Sequence, residues 1–209
     1  MVSGKRILVL APHTDDGELG CGGTIARLAP SNEIYYVAFS SCSQSVPAGF
    51  TEDVLKHEMK DATKILGLKD QNIILKDYEV RRFSYQRQEI LDDLIKIKKD
   101  LSPGLVFMPS ATDIHQDHFT ITSEAIRAFK YSSILSYEIP WNNIVFKSGS
   151  YSTLSEDDLA KKCEAVAVYK SQAHREYTRP DFITSLAKVR GLQIGQTYAE
   201  AFEVVRWIL

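Results

Sequence analysis

The chain of 209 residues has only three cysteines, Cys21, Cys42 and Cys163. They are odd in number and too scattered for a disulfide framework or a cysteine-bound metal, so they read as reduced thiols in a cytoplasmic protein. No apolar run approaches the ~20 residues that span a bilayer, and the short apolar stretch after Arg6 ends at Pro12. Neither a leader peptide nor stable membrane insertion is therefore expected. A basic surplus is missing too: 25 Lys+Arg stand against 27 Asp+Glu, a net charge of −2, which argues against a nucleic-acid partner. There is no Gly-x-Ser-x-Gly elbow and no phosphate loop ending in Gly-Lys-Ser/Thr. His57-Glu58 lacks the second histidine of a zinc-protease helix, because Asp61 stands there, and reads as helix surface. Gly20-x-Gly22 meets Ile25 where a dinucleotide loop needs its third glycine, and a pyrophosphate there would face Asp15 and Asp16.

What is present suits a globular protein: 44% hydrophobic and 25% charged residues. No repeat, low-complexity tract or long linker divides the chain, which reads as one domain over 1–209, compatible with a homo-oligomer. Arg6 to Ala11 is a continuous apolar run of the kind buried on both faces of a parallel sheet. Further strands are expected at Ile34 to Phe39, Asn72 to Leu75, Leu105 to Met108, Ile134 to Ile139 and Ala201 to Trp207. Between them lie helical stripes. Leu55, Met59, Ala62 and Leu66 form one, stopped by Gly67. Ile90, Leu91, Leu94 and Ile95 form a second, opened by Ser84, and Ile121, Ala125, Ile126 and Phe129 a third. Ser155 to Asp158 resembles a capping box for a fourth, with Leu159, Cys163 and Val166 inward. The alternation predicts an α/β fold, a Rossmann-like three-layer α/β/α sandwich with a mostly parallel sheet. Ligands in such folds bind beyond the carboxyl ends of the strands.

Two polar clusters stand at those ends. The first is His13-Thr14-Asp15-Asp16-Gly17-Glu18, directly after the first strand. Either aspartate alone reads as a helix cap, but four ionisable groups in six residues are costly to gather without a counter-charge. Glycines 17, 20, 22 and 23 let the next backbone segment turn tightly or pack closely. The second cluster is Asp113-Ile114-His115-Gln116-Asp117-His118, where two histidines three apart face one site if a helical turn begins there. A mixed nitrogen and oxygen set suits zinc, with iron or another divalent metal also possible, and three protein ligands leave a fourth position for water. Zinc lowers the pKa of a bound water to about 7, and a nearby carboxylate can take its proton. Metal-assisted hydrolysis of a carbonyl compound is the chemistry implied. Asp92-Asp93 and Asp157-Asp158 read as solvated helix positions.

Pro12-His13-Thr14-Asp15-Asp16-Gly17-Glu18 through Thr24, followed far downstream by His115-Gln116-Asp117-His118, resembles the PIG-L/LmbE family of zinc-dependent de-N-acetylases. That family carries His-Pro-Asp-Asp and His-Pro-Asp-His signatures. The likeness continues in Glu58-x-x-x-Ala62, Leu66-Gly67-Leu68, Tyr169-Lys170-Ser171-Gln172, Arg190-Gly191 and Tyr198-Ala199-Glu200-Ala201-Phe202, covering nearly the whole chain. The resemblance implies removal of an N-acetyl group from an amino sugar, whether free, nucleotide-linked or in a small conjugate. It implies that His13, Asp16 and His118 bind zinc, and that Asp15 is the general base. His115 would stabilise the tetrahedral intermediate or help protonate the leaving amine. Another small N-acyl amide as substrate, or a catalytically silent metal- or sugar-binding module, are the alternatives.

The sequence departs from the family pattern at several positions. Thr14 and Gln116 replace prolines, each removing a φ restraint. Leu55 stands where many members carry a substrate-contacting arginine, with Lys56 beside it as a substitute cation. Asp113 stands where some relatives place a tyrosine, and is expected to orient His115 or cap the turn. Glu18, Arg81, Arg82, Tyr137 and Trp141 are further candidates near the site. Arg81-Arg82 suit a phosphate or carboxylate, or a solvated loop; Trp141 suits a sugar face, or the core.

Overall fold

Five parallel strands and an antiparallel pair make one sheet in the computed structural model, which describes residues 2–209. The strands are β1 (Arg6–Ala11), β2 (Glu33–Ala38), β3 (Ile73–Leu75), β4 (Leu105–Pro109), β5 (Ser133–Tyr137), β6 (Ser150–Thr153) and β7 (Ala199–Arg206). Their spatial order is β3-β2-β1-β4-β5-β7-β6. β1 to β5 run parallel, β7 is antiparallel to β5, and β6 closes the edge antiparallel to β7.

The helices are α1 (Asp16–Leu28), α2 (Val54–Ile65), α3 (Arg87–Leu101), α4 (Gln116–Ala128), α5 (Glu156–Ala167) and α6 (Pro180–Leu192). Alternation along β1 sorts the core. Ile7, Val9 and Ala11 face Ile25 of α1, Met59 of α2, Val166 of α5 and Ile183 of α6. Leu8 and Leu10 face Ile90 and Leu94 of α3 with Ile121 and Ala125 of α4. Both faces are thus covered, as a parallel sheet requires, and the three-layer α/β/α expectation holds.

Several boundaries differ from the sequence reading. The fifth strand stops at Tyr137 because Glu138 turns to pair with Arg190. α3 opens at Arg87, after a 3-10 turn over Phe83–Tyr85. Its inward stripe is Ile90, Leu94 and Ile97, while Ile95 is exposed. Cys163 is only half-buried. Gly67 does end α2, at φ +89, and the Ser155–Asp158 capping box is formed in both directions. Neither β6 nor α6 is among the elements that the sequence pattern predicts.

One topological feature positions everything that follows. The chain leaves β1 toward β2 on one side and leaves β4 toward β5 on the other. The two loops diverge and open a crevice at the carboxyl ends of this adjacent pair. β1 is followed by the His13 cluster and β4 by the His115 cluster.

Candidate metal centre

Register sets the convergence. Ile7, Leu8 and Val9 pair with Leu105, Val106 and Phe107, so both loops leave the sheet at the same level. His13 Nδ1, Asp16 Oδ2 and His118 Nε2 then form a nearly equilateral triangle. The edges are 3.1 Å from Asp16 to each imidazole and 3.2 Å between the imidazoles. Ligands bonded to one tetrahedral zinc at 2.0–2.1 Å stand ~3.3 Å apart, so the spacing fits such an ion just outside the triangle.

The far side of each ring is pinned by a carboxylate. His118 Nδ1 lies 2.7 Å from Asp113 Oδ2, and His13 Nε2 lies 3.1 Å from Asp117 Oδ2. Each ring donates its N–H outward and turns its lone pair into the triangle, as metal-ligating histidines do. Two lone pairs and a carboxylate oxygen face one another, and only positive charge between them makes that arrangement favourable. Protons supply it when no metal does. Burial opposes charge on both rings, yet Asp16 and the paired carboxylates raise His13 to about 9 and His118 to about 10. Burial would raise the Asp16 carboxyl, but His118 and His13 hold it well below the usual range.

His115 offers a third ring nitrogen, within 4.8 Å of those of His13 and His118. It is the N-cap of α4, and its Nδ1 accepts from the Asp117 backbone N–H at 3.2 Å. Its Nε2 therefore carries the proton. Burial and the two neighbouring histidines lower it to about 4. Asp15 precedes α1 but makes no side-chain cap hydrogen bond, so the helix-cap reading does not account for it. Its carboxyl lines the same cavity and is raised to about 6, first by burial and then by Asp16. All five predicted site residues thus line one cavity of about 280 Å³.

Other expectations fare unevenly. Asp113 caps the turn through the His115 N–H, as expected, but the ring that it orients is that of His118. Glu18 lies beneath the loop with no exposure, bonded to Tyr36 and Tyr169, and Tyr137 is a core residue holding the Leu10 carbonyl. Lys56 is exposed and outside the cavity, whereas Leu55 lines it. Arg81 lines the cavity; Arg82 instead lies over Tyr85. Trp141 lines the cavity too, stacked on Tyr177 at 3.8 Å between centroids.

Glu58 is not helix surface. It is buried, and accepts from the Ser171 N–H at 2.9 Å and hydroxyl at 2.6 Å. Asp93 is similarly half-buried and accepts from Lys76 and Tyr78. Sequence reasoning also missed Lys162 and Glu200, a buried pair at 2.6 Å. Glu200 accepts from the N–H groups of Gly23 and Thr24, just past the break in α1 at Cys21. It caps the second half of the helix that carries Asp16.

Histidines and a carboxylate gathered over the switch point of a mostly parallel sheet form a site that could hold a divalent metal. The chain belongs to the PIG-L family, whose model, described as GlcNAc-PI de-N-acetylase, matches residues 8–130. It is 31% identical over 173 residues to the uncharacterized deacetylase YaiS of Escherichia coli K12, covering 80% of this chain and 91% of that one. The fold is similar to that of N,N'-diacetylchitobiose deacetylase from Pyrococcus horikoshii, solved with its inhibitor MPG. The TM-score is 0.81 at 22% identity, over 96% of this chain and 84% of that one. The zinc-inhibited form of teicoplanin deacetylase Orf2 is similar at TM-score 0.78 and 18% identity, over 97% and 98% of the two chains. No helix among the described residues is long and apolar enough to cross a membrane.

Proposed function

We propose that the protein hydrolyses the N-acetyl group of a small amino sugar, free, nucleotide-linked or conjugated, with a divalent metal held by His13, Asp16 and His118. The observation that carries this reading is the 3.1–3.2 Å triangle with a carboxylate behind each ring. Its N₂O donor set suits zinc. When bound, the metal supplies Lewis acidity toward the amide carbonyl and acidifies the attacking water.

The protein supplies the rest. Asp15, which makes no side-chain cap bond and is raised to about 6, takes the proton of the water that attacks the carbonyl carbon. His115 is neutral and presents Nε2–H, so it serves as the donor to the developing oxyanion; the lowered pKa disfavours the alternative acid role. Collapse of the tetrahedral intermediate breaks the C–N bond. The proton held by Asp15 passes to the leaving nitrogen, giving acetate and a free amine. Ring orientation is kept throughout by Asp113 and Asp117.

The cavity, at about 280 Å³, lies just below the ~300–1,000 Å³ range of ligand pockets. Metal analysis with acetate release across N-acetyl sugars tests the reading. Asp15→Asn is expected to keep its metal and lose ~10²–10⁴-fold in rate. Near-wild-type turnover by that variant would refute the mechanism, and turnover of non-sugar amides alone would favour the alternative substrate class.

A further inference from the structure

Arginine pairing sets two residues apart. Among the described residues, Arg6, Arg82, Arg87, Arg127, Arg179 and Arg190 each lie within 4.0 Å of a carboxylate. Arg27 and Arg206 donate to backbone carbonyls. No carboxylate lies within 4.0 Å of the Arg81 or Arg175 guanidinium among the described residues, although Arg175 is near enough to Asp15 to pull its carboxyl down; both arginines line the cavity above the His13–Asp16–His118 triangle. The acidic residues lining that cavity are Asp15 and Asp16, both in the β1 loop beside the triangle.

Arg175 is held in place. Its Nε donates to Gln172 Oε1 at 2.8 Å, and Gln172 Nε2 in turn donates to Ser171 Oγ at 3.2 Å. Ser171 is fastened by both oxygens of the buried Glu58 carboxylate. The guanidinium also lies over the Tyr177 ring, 5.7 Å from its centroid. With Nε tethered to Gln172 and the guanidinium also bonded to the Tyr177 side chain, Arg175 is held with terminal N–H groups still available to a carboxylate or phosphate.

Arg81 is held by a different device. Its φ of +68 is uncommon for a residue with a side chain. Its backbone N–H donates at 2.6 Å to Asp117, the carboxylate that also orients His13. The side chain reaches only Ser45, at 3.5 Å.

We propose that the substrate carries a negative charge in addition to its amide, a carboxylate or phosphate on the amino sugar, seated against Arg175 and Arg81. This rests on the deacetylase reading and specifies its substrate. Arg175 thereby fills the role that Leu55 cannot, from a different loop. The stacked Trp141–Tyr177 pair supplies an aromatic surface in the same cavity for the sugar ring.

Calorimetric titration of the zinc-loaded protein with glucosamine, glucosamine 6-phosphate and muramic acid tests the proposal without requiring turnover. Acetate release from the three N-acetylated counterparts is measured in parallel. The charged amines are expected to bind ~10–100-fold tighter than glucosamine, the worth of hydrogen bonds to a charged group, with the preference falling as salt rises. Comparison of the two charged amines identifies phosphate or carboxylate. Arg175→Gln, with an unchanged thermal midpoint, is expected to bring the charged-to-neutral ratio down toward one, and Arg81→Gln to lower it in part. Equal binding of all three amines, or a ratio unaltered by Arg175→Gln, overturns the proposal even where acetate is released. A charge preference lost in Arg175→Gln, without acetate release from any of the three N-acetyl sugars, upholds the anion site and removes these free sugars as substrates.

Discussion

Gly20 is where local preference and packing pull in opposite directions. Alanine in place of a helical glycine gains about 0.8–1 kcal/mol of propensity. At position 20, however, the added carbon would stand 2.2, 2.6 and 2.8 Å from three ring carbons of Tyr137, where carbons prefer ~3.5–4.0 Å. Tyr137 cannot simply swing aside. Its ring is fully buried, and its hydroxyl donates to the Leu10 carbonyl at 2.9 Å. Overpacking of this kind costs ~1–3 kcal/mol, and a lost buried hydrogen bond adds about 1 kcal/mol. Against the propensity gain, Gly20→Ala should destabilise the protein by ~1–3 kcal/mol. Gly22 provides the comparison within the same helix. Its added carbon would meet the stem of Lys162 at 3.2 Å, a contact that a small shift relieves, so Gly22→Ala should stay within ~1 kcal/mol of wild type. Urea unfolding of the metal-free proteins at one pH measures both. Because α1 begins at Asp16, displacement of the helix should also weaken zinc binding in Gly20→Ala more than in Gly22→Ala. Equal stability of the two variants, or a Gly20→Ala protein as stable as wild type, would refute the close-approach argument.

Glu18→Gln keeps the side chain's shape and removes its titration. Burial pushes the Glu18 carboxyl up to about 8 from an ordinary 4.5, so the native protein keeps a proton that the unfolded chain releases. The resulting stabilisation is complete below about pH 4.5 and drains away as pH rises through 8. Wild type should therefore lose stability relative to Glu18→Gln across pH 5–8, by up to ~1.4 kcal/mol per pH unit; parallel pH profiles would count against a protonated Glu18. Asp113→Asn removes the charge behind His118 and should lower zinc affinity ~10–100-fold in chelator competition. Undiminished affinity would mean that Asp113 only caps its turn.

How much the sequence disclosed follows from where each signal is stored. β1 and β4 are buried on both faces, so each is a continuous apolar run whose end is visible, and the polar groups beyond those ends stand out. Their meeting is a matter of topology: the switch point brings His13 and His118 to one place across a hundred residues of chain. β6, by contrast, is a four-residue edge strand, Ser150–Thr153, half-buried throughout. It has no apolar run because it needs none. α6 buries Ile183, Ala187 and Gly191, a stripe of mostly small residues with weak contrast between faces. The hidden part of the site has the same character. Glu58 and Glu200 are ordinary acids in the sequence, and each is buried because it answers a donor far away along the chain. A buried carboxylate is costly unless its partners are in place, so these two are informative only once the partners are known. Arg175 lies at the far end of such a chain, through Gln172 and Ser171 to Glu58. Candidate metal ligands can be read from local pattern, because coordination demands particular atoms. Residues that would aim the cavity at one substrate are set by tertiary contacts: Leu55 on α2 lines the cavity without a charge, and the proposed anion contact, Arg175, stands on another loop.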